Sequence, residues 1–444
     1  MNTDATFTAI HPEARDMGGT SVAPLQHPDG LKKQSSRDVS IDVVRSLSLV
    51  VVVVLHALMV GVSLGPDGPV LENALDNQSW FASVTWFAQV MPLFFMAGGF
   101  SSISQWRVLS ARGETAADYV RSRLLRLMVP AVVLVGLVGF GLLLLTLAGV
   151  PAEIVSTAGY RISQPLWFLA VYLGCSALVP FMAHAHKKAR VGAIVGLLLP
   201  IVVVDALRIL TDQTAVGYAN LVFVWLFVQQ LGFWLADGSL ERLAPVARGW
   251  AAGLTLALLL ALTVAGWYSG DMYVNLNPPT GALALLAVVQ VMVFSLCQPS
   301  IRRWAENPGV ISSIRAVGSR AMTIYLWHMP VLVALAGLLL ILPLRLPVPG
   351  SGEWWFTRSY WLAAVLCALI PVVQVLGLFE RAGSEPRLCP SSNRRAAFST
   401  VLGVVGVIVL LIEGVTPVTA AISVALFCCA LIGHTNLPRL RPAR

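Results

Sequence analysis

Charge is what this chain has least of. Only 12% of its 444 residues are Asp, Glu, Lys or Arg, against 57% hydrophobic, and the mean hydropathy is +0.77. Soluble domains carry about a quarter charged residues, so that class is excluded. Apolar blocks of about twenty residues, repeated along the chain, indicate an all-α, polytopic integral membrane bundle. Cysteine is also sparse. Of the six, Cys175, Cys297, Cys367, Cys428 and Cys429 fall in apolar segments, Cys389 falls in a basic loop, and no CxxC spacing occurs. Neither a disulfide framework nor a zinc site is expected. A basic domain is missing too: the formal charge of +8 is scattered between apolar blocks, the pattern of membrane topology rather than of nucleic-acid binding. No internal repeat announces a transporter built from two related halves.

Residues 1–38 are rich in Pro, Gly, Ser, Asp and His and read as a disordered cytoplasmic tail. The first apolar run starts too late and is too long for a cleaved signal peptide. At about twenty residues per crossing, helices are expected at 39–61, 82–104, 128–149, 166–183, 191–210, 219–236, 249–268, 280–298, 321–342, 360–379, 397–413 and 416–433. The first ten make a domain over 39–383. Residues 384–444 supply a basic loop, two additional membrane helices and a short tail. With this topology 25 Lys and Arg fall on one side, only Arg161, Arg208, Arg345 and Arg358 on the other, and Arg45 at a boundary. That bias expects both termini in the cytoplasm of an inner or plasma membrane protein.

The first helix, IDVVRSLSLVVVVVLHALM at 41–59, carries Asp42, Arg45 and His56. Arg45 and His56 are eleven residues apart, three turns plus about 20°, so they share a helix face with an axial separation of about 16 Å. Asp42, three residues before Arg45, is spaced to pair with it. Two readings stand. Asp42 and Arg45 can be a snorkelling topology anchor beside a structural histidine, or the face can be functional, since intramembrane ionisable groups normally face a cavity or a partner.

Further motifs follow: MPLFFMAGGFSS at 91–102, RSRLLRLMVP at 121–130, QPLWFL at 164–169 and TIYLWHMP at 323–330. In this order, after an Asp-x-x-Arg helix with His eleven residues beyond the Arg, the chain resembles the acyltransferase 3 family of bacterial integral-membrane acyltransferases over about residues 39–380. The resemblance implies ten core helices and an acyl-CoA donor, acetyl-CoA foremost, reached from the cytoplasm. It implies no permanently bound cofactor, and transfer to a hydroxyl or amine, most often on an envelope saccharide or glycolipid. The family's functional helix-1 Arg and His map onto Arg45 and His56. The chain departs in having Ala97-Gly98-Gly99 where a Ser-Gly pair is common, so no serine nucleophile is assigned. The two glycines permit close helix contact or backbone approach to a ligand. Trp327-His328 replaces a late Leu-His. The last two helices lie outside the usual core and serve a partner, a lipid acceptor or structural filling.

Acyl transfer from a thioester to an alcohol needs a base and a site for the developing oxyanion. His56 is the expected base, Arg45 places the donor or stabilises negative charge, and Asp42 orients Arg45. Arg121, Arg123 and Arg126 suit the phosphates of coenzyme A, or are simply positive-inside residues. Gln164, Trp167 and Phe168 stack on an acceptor sugar or form interfacial belt. His328 is expected at a different depth from His56, which argues against a tight pair and leaves it a ligand contact or a structural role beside Pro330. Asp205, Arg208, Gln229 and Gln230 line a polar cavity or make interhelical hydrogen bonds. His184 and His186, in HAHKKAR, read as a solvated loop, and no metal site is expected. An acyltransferase acting on a small metabolite such as a macrolide, a secondary transporter and a non-catalytic scaffold are the rival readings.

Overall fold

The structure, a computed structural model, describes residues 38–65, 68–76, 78–343, 345–382 and 392–432. The expected N-terminal tail up to residue 37, the basic loop with Cys389 and the C-terminal tail from residue 433 lie outside the described residues. Among the described residues ten helices are long and apolar enough to cross a membrane, eleven if one bent pair is a single span. The chain is thus a multi-pass membrane bundle.

Helix α1 (Val39–Met59) runs into a hairpin, β1 (Val60–Gly65) with β2 (Gly68–Asn73), antiparallel with Gly61 opposite Glu72. The next crossing is broken into α2 (Phe81–Ala88) and α3 (Met91–Ala111). Pro92 in the first turn of α3 has no N–H to continue the ladder, and the buried Gln89 at the break donates instead to the Met272 carbonyl at 3.2 Å. Helix α4 (Ala116–Leu147) begins twelve residues earlier than expected, because Thr115 and Asp118 close a capping box. That places Arg121, Arg123 and Arg126 inside the helix.

The segment expected at 166–183 is more complex. It comprises α5 (Ala152–Ser163), a 3-10 turn at Gln164–Leu166, α6 (Trp167–Ala177) and α7 (Val179–Lys188), with a bend of 51° before α7. Pro165 and Pro180 sit at the breaks. Then follow α8 (Arg190–Thr211), the short α9 (Thr214–Gly217), α10 (Asn220–Ala236), α11 (Pro245–Val264) and α12 (Gly281–Ala305). The chain continues with α13 (Pro308–Gly318), α14 (Ala321–Ile341), α15 (Gly352–Ala382), α16 (Asn393–Glu413) and α17 (Pro417–Ile432).

Two details position the site. Helices α3 and α10 touch backbone to backbone: a Cβ on Gly99 would stand 2.4 Å from the Gln229 carbonyl oxygen, and one on Gly232 would stand 2.2 Å from that of Met96. Only glycine admits this approach, and it brings Phe95 into a stack with Trp225, centroids 4.3 Å apart. The second detail is α13. It packs beside the start of α1, where Val43 meets Ile314 and Ser46 Oγ donates to the Ile314 carbonyl at 3.3 Å. Helix α14 therefore starts alongside the middle of α1 rather than level with its first turn.

Candidate active site

His56 lies in the last turn of α1 and His328 in the first half of α14. Contrary to the expected difference in depth, His56 Nδ1 and His328 Nε2 are 3.0 Å apart, with rings stacked at 5.0 Å between centroids. Depth read from helix boundaries assumed that the two helices begin at one level, and α13 removes that assumption. His328 is fully buried, and its Nδ1 lies 2.6 Å from the Tyr325 carbonyl. A carbonyl only accepts, so His328 Nδ1 carries hydrogen. With both rings neutral, His328 Nε2 must accept from His56 Nδ1, which leaves the lone pair on His56 Nε2. That nitrogen has no hydrogen-bond partner among the described residues.

Three cavities adjoin along this face. The first, of about 140 Å³, is lined by Arg45, Arg123, Arg126 and Glu380. Arg123 Nε donates to Tyr119 Oη at 3.3 Å, whereas Arg45 and Arg126 have no hydrogen-bond or ion-pair partner among the described residues. Glu380 is anchored to the start of α14, accepting from the Thr323 N–H at 3.1 Å and its hydroxyl at 2.7 Å. Phe94, Phe168 and Tyr325 separate this cavity from the second, which measures about 80 Å³ and holds His56, Gln89, Trp167 and Tyr273. Phe94 and Tyr325 each pack edge-on against Phe168, with centroids 5.0 Å apart in both pairs. The third cavity, about 800 Å³, shares His56, Trp167 and Tyr273 with the second and adds Glu72, Asp76, Arg161 and Gln164.

Groups on the third cavity's rim are tuned by one another. Burial and the neighbouring Asp271 hold the Asp76 carboxyl above the usual carboxylate range, against the pull of Arg161. Burial and Asp271 likewise push the Tyr273 phenol up, so it stays a hydrogen-bond donor.

The family model of the acyltransferase 3 family, described as an acyltransferase domain, matches residues 38–373. The chain belongs to the acyltransferase 3 family. No curated protein and no solved structure matches it. As a member, it is a membrane O-acyltransferase.

Within this acyltransferase the structure sorts the residues singled out in the sequence. Arg45, Arg123 and Arg126 converge on one cavity, whereas Arg121 is buried elsewhere on α4. Asp42 sits half-buried in the first turn of α1, outside the lining of the three cavities. Gln164 lines the large cavity, Trp167 the second and third, and Phe168 the first and second. Asp205 accepts from Asn220 at 2.9 Å, from Tyr268 at 2.8 Å and from the Gly281 N–H at 2.7 Å, so it ties α8 to α10 and α12. Gln229 and Gln230 donate to the Cys175 and Met182 carbonyls. These are interhelical hydrogen bonds rather than cavity groups.

His186 is a correction. It is not in a solvated loop but buried on α7, between Gln230 Oε1 at 3.0 Å and Asp237 Oδ2 at 2.9 Å. Helix α7 continues past the expected end at 183 and turns that ring onto α10. Among the described residues no group of three or more His, Cys, Asp or Glu is placed to hold a metal ion. Glu380 and Tyr273 belong to no motif, and Tyr325 stands within TIYLWHMP without a role of its own there. Position is the signal for two of them: Glu380 follows an apolar run directly, and Tyr325 lies three residues before His328.

Proposed function

We propose that this membrane O-acyltransferase moves a short acyl group, acetyl foremost, from acyl-CoA to a hydroxyl of a cell-envelope saccharide or glycolipid. The observation that carries this reading is the line of three cavities, with the guanidiniums of Arg45, Arg123 and Arg126 at one end and His56 between the second and third. The phosphates of coenzyme A bind Arg45, Arg123 and Arg126, where charge-assisted hydrogen bonds are strongest. The flexible pantetheine arm passes Phe94, Phe168 and Tyr325. The rise of about 16 Å from Arg45 to His56 suits a donor of that length. A second cavity of about 80 Å³ favours a small acyl group over a long one. The acceptor enters from the third cavity, whose carboxylates and aromatic rings suit sugar hydroxyls and sugar faces.

His56 Nε2 takes the hydroxyl proton as the acceptor oxygen attacks the thioester carbonyl, the C–S bond breaks, and the departing sulfur recovers the proton from His56. Trp167 and Tyr273 offer N–H and O–H donors to the developing oxyanion on the same wall. The Val39 end of α1, where Arg45 meets Arg123 and Arg126 of α4, is the cytoplasmic end in this reading. Mass spectrometry of envelope lipids and glycans tests it in cells carrying the intact protein or His56→Ala. Loss of one ester mass from an envelope component is expected. An unchanged envelope with a de-esterified secreted metabolite would contradict the assigned acceptor.

A further inference from the structure

Helices α16 and α17 lie beyond the matched residues, yet α16 supplies Leu411 and Ile412 to the wall of the large cavity. Their turn seats on α5: the Val415 N–H donates to the Gly159 carbonyl at 3.2 Å, and a Cβ on Gly159 would stand 1.9 Å from the Val415 carbonyl oxygen. The next residues, Tyr160 and Arg161, line the same cavity as His56. The pair is also locked to itself and to α4. Ser423 Oγ donates to the Gly406 carbonyl at 2.8 Å, and a Cβ on Gly139 would meet that of Ala420 at 2.3 Å. Such packing fixes the end of α16 and places Leu411 and Ile412 on the cavity.

Those two side chains give the cavity an unusual rim. Ile412 is 70% exposed and Tyr160 is 51% exposed, so the lining of the cavity reaches the outer surface of the bundle between α16 and α5. Met329, Val333 and Ala336 form an apolar stripe inside it, at the spacing of one helix face. Glu72, Asp76, Arg161 and Gln164 make its polar part. At about 800 Å³ it lies within the range of about 300–1,000 Å³ that encloses most of a ligand. One space thus offers hydrogen-bonding groups near His56 and an apolar edge on the outer surface of the bundle.

Resting on that reading of the site, we propose that the α16–α17 hairpin makes this enzyme selective for an acceptor anchored in the bilayer. The saccharide sits at His56, and its lipid chain leaves past Leu411 and Ile412. A water-soluble acceptor has no use for an apolar exit, whereas the chain of a bilayer-anchored acceptor can leave along it without its methylenes entering water.

The test uses the full chain in nanodiscs and three photoreactive probes, dodecyl glucoside, galactoside and mannoside with a diazirine in the chain, against dodecanol with the same diazirine. Adducts are mapped by mass spectrometry. At least one glycoside should label residues 408–416 about tenfold more than the alcohol, the ratio for about 1.4 kcal/mol of headgroup binding. Ile412→Gln should remove that excess, and Val401→Gln, exposed on the same helix but outside the cavity lining, should keep it. Equal labelling by all three glycosides and the alcohol would show only a lipid-facing surface and overturn the proposal, as would an excess that survives Ile412→Gln. Labelling needs no donor. Its failure leaves donor-dependent acyl transfer standing, whereas labelling without any acyl transfer from acetyl-CoA removes the reading of the site instead.

Discussion

His56 Nδ1 and His328 Nε2 lie 3.0 Å apart although 272 positions separate them in the chain. The Tyr325 carbonyl fixes the His328 tautomer, and His328 in turn fixes that of His56. A base oriented by a second group, itself oriented by a third, is the arrangement that general-base catalysis requires.

His328→Ala should therefore lower kcat by about 100-fold, within the range for general-base assistance, with KM for the donor unchanged. His328→Gln, whose amide can donate to Tyr325 and accept from His56, should recover part of it. Steady-state kinetics on the two variants checks this. Equal loss in both would reduce His328 to a packing role.

Arg45→Gln and Arg126→Gln should each raise KM for the acyl-CoA donor by about 10- to 100-fold, the equivalent of about 1.5–3 kcal/mol for a hydrogen bond to a charged group, and leave KM for the acceptor unchanged. A donor lacking the 3′-phosphate should be less sensitive to one of the two. Dependence of rate on donor concentration decides it.

Gly232→Val should disrupt the α3–α10 contact, because even a Cβ at this position would stand 2.2 Å from the Met96 carbonyl oxygen. Overpacking of this kind costs about 1–3 kcal/mol. A lower Tm in detergent is expected, along with lost activity, since Phe94 and Met91 on α3 line the His56 cavity. Gly253→Val, at a position with open space, should leave both unchanged.

Asp237 follows α10 and receives His186 at 2.9 Å and Arg190 at 3.2 Å. Burial alone pushes its carboxyl up, but Ser239, His186 and Arg190 outweigh that and hold it below the usual range. A carboxyl depressed by folding adds stability that is full above its unfolded value of about 3.9 and is lost as pH falls through the folded value. Asp237→Asn should lower Tm at neutral pH, with a gap that is constant down to about pH 5 and closes below about pH 4. Thermal unfolding across that range measures it.

Much of the membrane architecture was legible because apolar runs of about twenty residues have few alternatives. The crossing at 39–61 and α1 differ only at one end, and the paired glycines 98 and 99 do mark a close helix contact. The arginine cavity was half legible: a helix expected to begin at 128 leaves Arg121, Arg123 and Arg126 outside it, and only within α4 does a spacing of three keep Arg126 beside Arg123 while a spacing of two turns Arg121 to the opposite face. What stayed hidden was relative height. No residue in TIYLWHMP records that α13 shifts α14 along α1, so helix boundaries alone set His328 at a different depth from His56. His186 is hidden for a related reason: the polar run HAHKKAR looks like solvated loop, and only the bend before α7 puts its ring on Asp237.

The most direct test is acetyl transfer from radiolabelled acetyl-CoA by the purified protein in nanodiscs supplied with extracted envelope lipids and glycans, wild type beside His56→Ala. Label should pass to an ester-bearing acceptor with the wild type and fall by at least about 100-fold with the variant, while both proteins unfold at the same temperature. Undiminished transfer by a folded His56→Ala protein would contradict the assignment of His56 as the base.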